Sequence, residues 1–149
     1  MECCKLVCRT SLLPVFCLFI LCSCGPSEHE LLFSFDKQAV GVPFSFAQYC
    51  ENEYDSIYVL HPYANVDKGV FAKLKMSDSL RGHCRANTNF DYFSTLLFVS
   101  DGVVEAYSEP GFGNACFSST FIPEDFVAFP FEQCFVLNEN RYVSLCKCH

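Results

Sequence analysis

The stretch that most constrains the fold is residues 92–109, YFSTLLFVSDGVVEAYSE. Two apolar runs flank Asp101-Gly102, the pair that supplies the positive φ angles of a type I′ turn, so this stretch predicts a β-hairpin. In the first run Leu96 and Phe98 share one face, while Thr95, Leu97 and Val99 share the other. A strand apolar on both faces belongs in a sheet's interior.

The neighbouring segments add to that sheet. SIYVLHPY (56–63) is β-branched and aromatic and stops at Pro62, which reads as a strand. LLFSFD (31–36) reads as a first strand, and FVLNENRYVSLC (135–146) as a second hairpin about Asn138-Glu139-Asn140. PFSFAQYC (43–50) suggests a short helix with Pro43 in its first turn. The main helix is expected after Asn65 as N-cap, because Val66, Val70, Phe71 and Leu74 fall on one helical face. Gly69 costs that helix about 1 kcal/mol against Ala, so it needs tertiary support. Residues 76–92 are polar and aperiodic and read as a long loop, as does PGFGNA (110–115). FIPEDFVAFPFEQCF (121–135) carries five Phe around two Pro; its rings face either the core or a partner, and the core is the expected side. The sum is an α+β fold, a small antiparallel sheet of four to five strands with one main helix packed on it.

The N-terminus sets the compartment. Lys5 and Arg9 precede an apolar block, residues 12–22, whose eleven residues rise only about 16 Å as a helix, roughly half a bilayer core. A basic segment and a short apolar one match a secretory signal. Leu21-Cys22-Ser23-Cys24 resembles the bacterial lipobox, with Leu at −3, a small residue at −1 and then Cys. That resemblance implies lipid on the Cys24 thiol and cleavage before it; Cys22 at −2 departs from the usual residue there. The organisation expected is a lipoprotein signal peptide over 1–23, the lipidated Cys and a tether over 24–30, and one globular domain over 31–149. The alternative is a secreted protein cut near Gly25.

Residues 24–149 carry eight basic and sixteen acidic side chains, a formal charge of −8. An acidic domain repels phosphate backbones, so nucleic acid is not expected as a partner. Six cysteines follow Cys24, namely Cys50, Cys84, Cys116, Cys134, Cys146 and Cys148. Export permits disulfides among them, with fifteen connectivities open.

Two stretches together carry a more specific likeness. YDSIYVLHPY (54–63) and LLFVSDGVVEAY (96–107) resemble a pattern in uncharacterised cell-envelope lipoproteins of the Bacteroidetes type. There an aromatic-Asp pair leads a strand ending in Pro-Tyr, then a helix, then an Asp-Gly hairpin. The matching positions are Tyr54, Asp55, Pro62, Tyr63, Phe98, Val99, Asp101, Gly102, Val103 and Val104, with Tyr54 standing where Trp is usual. The resemblance implies an envelope location and brings no activity with it.

Candidate sites are few. His61 and Tyr63 at a strand end either line a pocket or mark where Pro62 stops the strand and Tyr63 packs on the helix. Cys146, Cys148 and His149 offer soft ligands for Zn²⁺ or Cu(I), and Lys147 is placed to lower a thiol pKa; a closed zinc site needs a fourth ligand that no motif supplies. His83-Cys84-Arg85 matches a thiol and base only by composition, since adjacent residues point apart on an extended chain. No catalytic motif is present, and no cofactor is implied. The expectation is a non-enzymatic, lipid-anchored envelope protein with a binding or structural domain, its partners the membrane through Cys24 and an envelope protein. The alternatives are a thiol or metal protein using the C-terminal Cys-x-Cys-His, and a secreted disulfide-stabilised module.

Overall fold

A computed structural model of the chain describes residues 27–33, 35, 38–90, 94–110, 116–117 and 128–147. The expected hairpin is its centre. Strand β4 (Thr95–Ser100) returns as β5 (Val103–Ser108) through Asp101 at φ 51° and Gly102 at φ 73°. Both turn residues are left-handed, as a type I′ turn requires. With β1 (His29–Glu30), β3 (Ser56–Leu60) and β7 (Ala128–Pro130), these strands make a sheet in the order β1-β5-β4-β3-β7. Its pairings are antiparallel except β1 with β5.

β4 is the central strand and is buried on both faces. Leu96 and Phe98 point into one cluster with Ile57 and Val59, while Leu97 and Val99 point into another with Leu60 and Val104. The first cluster is closed by a second sheet. Its order is β2-β8-β9-β6, from β2 (Pro43–Ser45), β8 (Cys134–Leu137), β9 (Tyr142–Cys146) and β6 (Cys116–Phe117). Phe44, Phe117, Phe135, Leu137 and Val143 from this sheet meet Phe46, Phe98 and Phe129 across the gap. The ring pairs are mostly edge to face, including Phe46–Phe98 at 6.1 Å and Phe129–Phe135 at 5.7 Å, the arrangement that the ring quadrupole favours.

The second cluster is closed by helix α1 (Asp78–Asn87) and the loop before it. One main helix therefore packs on a five-stranded sheet, and the α+β class holds. Two finer expectations do not. There are two sheets among the described residues, each with one parallel pair, in place of the single antiparallel sheet expected. The expected short helix at Pro43 is instead strand β2, followed by a 3₁₀ turn, Phe46–Gln48, whose Ala47 N–H donates to Ser45 Oγ. His29 and Glu30 pair with β5, and the Ser77 N–H donates to Glu28 Oε1.

The main helix lies in the segment read as a loop, and the segment read as the helix is a turn-rich strap. Gly69 adopts φ 59°, which no α-helix contains, and Asn65 Oδ1 accepts the Asp67 N–H at 2.9 Å in a local turn. A 3₁₀ turn, Phe71–Lys73, is all the helix this strap makes. Val66, Phe71 and Leu74 are buried as an amphipathic helix would bury them, but Val70 is exposed. In α1, Ser77 is the N-cap and accepts the Leu80 N–H at 3.1 Å; Asp78 lies in the first turn and Arg85 in the last. Both charges have the sign that the helix dipole favours. The apolar face of α1 is only Leu80 and Cys84, too narrow a stripe to show in periodicity.

The expected second hairpin is present as β8 and β9, with Arg141 at φ 64° and its N–H donating to Asn138 O. Phe129, Phe131 and Phe135 face inward, as expected of the Phe-rich stretch; Phe121 and Phe126 lie outside the described residues.

The central hairpin is clamped from β3. Asp55 Oδ2 accepts the Asp101 N–H at 2.7 Å, and the Asp55 N–H donates to Val99 O at 2.9 Å. A Cβ added to Gly102 would meet nothing within 4 Å, so its substitution costs only backbone strain. We expect Gly102→Ala and Asp55→Ala each to lower the unfolding free energy by about 1 kcal/mol in urea titrations. Two variants as stable as the parent would show that the turn is held by something else.

Candidate functional site

An open cleft lies between the strap and the C-terminal end of α1. After β3 the chain passes buried His61 and turns at Pro62. Tyr63 then takes φ 60° and donates its N–H to Thr88 O at 2.7 Å, tying the turn to the residue that caps the helix. Two arginines one helical turn apart continue the attachment. Arg81 donates from Nη1 to Val66 O at 3.0 Å and from Nη2 to Leu74 O at 2.9 Å. Arg85 grips the Asp67 carboxylate through Nε at 3.1 Å and Nη2 at 2.8 Å.

The resulting cleft has a volume of about 280 Å³ and is lined by Tyr63, Asn65, Asp67, Arg85, Thr88 and Asn89, with Ala64 and Val66. Asn89 Nδ2 and Thr88 Oγ1 both donate to Arg85 O, which fixes that wall. Tyr63 is 72% exposed, so its side chain does not pack on the helix; only its backbone is attached there. His61 is 7% exposed and does not line this cleft, whereas Tyr63 does. Asp67, Arg85 and Asn89 are not legible as site residues in the sequence, because Asp67 and Arg85 meet across eighteen positions only once the helix is placed.

A second cleft, of about 320 Å³, lies at the other end of α1 between Glu28, Ser77, Ser79, His83 and Tyr107. His83 Nε2 pairs with Glu109 Oε1 at 2.6 Å, and Asn87 Nδ2 donates to the same oxygen. Ser77 Oγ is committed to the helix cap. The His83–Glu109 contact thus works as a strut between α1 and the end of β5.

Cys84, next to His83 in sequence, faces the opposite way into the core and is fully buried. Burial, with the Glu109 carboxylate adding to it, pushes its thiol up to about 12. A thiol held neutral is no nucleophile. Cys146 is a free, partly exposed thiol, and burial pushes it up as well, opposite to the activation expected from Lys147. It stands in register with Cys134 on β8, but Cys134 is disulfide-bonded elsewhere. Cys148 and His149 lie outside the described residues, as does Cys24. Among the described residues no group of three His, Cys, Asp or Glu side chains could hold a metal ion, and no helix is long and apolar enough to cross a membrane.

No protein-family model, curated protein or solved structure matches this chain.

Tyr63 is a mostly exposed side chain in a left-handed backbone that Asn tolerates better, so Tyr63→Asn should raise the unfolding free energy by about 0.5–1 kcal/mol in urea titrations. A second expectation concerns pH. Cys84, Tyr54 and Tyr107 all have pKa values raised chiefly by burial. Each deprotonates more readily when unfolded, so the unfolded chain binds fewer protons above pH ~9 and stability falls as pH rises toward ~12. Cys84 alone contributes a slope of at most about 1.4 kcal/mol per pH unit. Urea midpoints at pH values of about 8, 9.5 and 10.5 read this directly, and in Cys84→Ala the decline should be shallower.

Proposed function

We propose that this chain is a non-enzymatic, lipid-anchored protein of a bacterial cell envelope, whose α+β domain serves binding through the Tyr63 cleft. The observation that carries the anchor is Leu21-Cys22-Ser23-Cys24 at the end of a short apolar block. Acylation there by two or more chains, at about 0.8 kcal/mol per buried CH₂, would hold the domain stably on a membrane. Only four residues lie between Cys24 and His29 at the start of β1, and the five chain steps reach at most about 18 Å. The domain would therefore sit close to the bilayer surface.

The disulfide at Cys134 supports export, since such bonds persist in oxidising compartments. It serves equally a second reading, the secreted module without lipid. The raised thiols of Cys84 and Cys146 support a binding role over thiol chemistry.

The intact mass of the protein from a native host's membrane fraction separates the two readings. We expect a chain beginning at Cys24 with added acyl chains, and loss of membrane retention in Cys24→Ser. A water-soluble chain beginning near Gly25 with no added mass would overturn the anchor in favour of the secreted module.

A further inference from the structure

Resting on the binding role of the Tyr63 cleft, we propose that its ligand is a neutral saccharide, recognised by the Tyr63 ring and the Asp67–Arg85 fork that lines the same cleft. The fold does not account for the side chain at position 63. Its backbone role, a left-handed turn giving an N–H to Thr88 O, is met equally well by Gly or Asn. A tyrosine there carries the strain of that backbone and leaves 72% of its surface in water. Strain without structural return points to function.

The cleft's chemistry then narrows the ligand. An anion would meet the Asp67 carboxylate. A cation would meet Arg85, with Arg81 Nη1 3.9 Å behind Asp67 Oδ1. A fully apolar ligand would strip water from the ionic fork and from Asn65 and Asn89 without replacing its hydrogen bonds. A neutral ligand rich in groups that both donate and accept suits these walls. Arg85 Nη1 makes no hydrogen bond among the described residues, the Asn65 side chain bonds there only through Oδ1, and Asp67 Oδ1, which accepts a single hydrogen bond, keeps a lone pair. One apolar face on that ligand would lie on the tyrosine ring, whose negative face attracts polarised C–H groups. Hydroxyls around a ring with a C–H face describe a sugar. About 280 Å³ is near the small end of ligand sites and suits a sugar ring better than an extended chain of rings.

The test is affinity electrophoresis of the full chain, in a sugar-free detergent, through gels containing α-glucan, β-glucan, mannan or xylan, with heparin as the anionic control. We expect retardation by at least one neutral polysaccharide and none by heparin. Tyr63→Asn should weaken that retardation at least tenfold while melting no lower than the parent, and Tyr63→Phe should retain it. The stability readout matters, because lost binding in a chain that is no less stable excludes unfolding as the cause. No retardation in any neutral gel, or retardation unchanged in Tyr63→Asn, overturns the proposal. An acylated chain that fails in every gel would sink the saccharide and leave the anchor standing; a lipid-free chain that is retarded would do the reverse.

Discussion

Leu96 and Phe98 leave β4 on one side, Leu97 and Val99 on the other, and all four are essentially removed from water. Burying side chains of this size is worth about 1.5–3 kcal/mol each, so this one strand contributes a sum comparable to the roughly 5–15 kcal/mol by which a domain is stable. That gain requires cover on both faces. The second sheet supplies it on one side with phenylalanines, and the strap and α1 supply it on the other. The three-layer arrangement is thus a consequence of a central strand that has no polar face.

The two covers are built differently. The sheet-to-sheet side is an aromatic cluster whose rings hold one another. On the helical side the strap supplies buried Val66, Phe71 and Leu74, while α1 itself buries only Leu80 and Cys84. A ten-residue helix is marginal by itself in water. Polar ties make up the difference, with Arg81 and Arg85 holding the strap, the His83–Glu109 pair holding the end of β5, and Glu28 meeting the helix start. The cleft at Tyr63 arises where those ties join strap and helix, so its polar walls are also the seam of the fold.

This difference explains what the sequence discloses. Both hairpins are legible because turn chemistry is local; Asp101-Gly102 states its own geometry, and β4 states its burial. The helix is not, because its contacts are polar and distant while its apolar stripe is two residues wide. Val66, Val70, Phe71 and Leu74 imitate a helix, and the left-handed Gly69 breaks the likeness. Strands β1 and β6 are two residues each and joined by parallel pairing, so they carry no pattern at all. Tyr63 is legible as a candidate from its place at a strand end, whereas Asp67 and Arg85 depend on a helix that periodicity misplaces. Of the residues that suggest a resemblance, Tyr54 and Asp55 reach the central hairpin. Tyr54 packs its ring against Phe98 at 5.3 Å, and Asp55 holds the turn at Asp101. Such contacts specify a fold and are silent about activity.

The left-handed residues sharpen the distinction between fold and function. Asp101 and Arg141 occupy hairpin turns, where pairing of the flanking strands dictates a positive φ and offsets its cost. Tyr63 lies in no hairpin, and the single backbone bond it gains is one that a residue with less strain would also make. Two of the three non-glycine cases among the described residues are therefore explained by the sheets they serve. The third keeps a bulky aromatic side chain largely in water, in the cleft that the Asp67–Arg85 pair also lines. A position at which local preference and global fold disagree in this way is where a binding function is best placed.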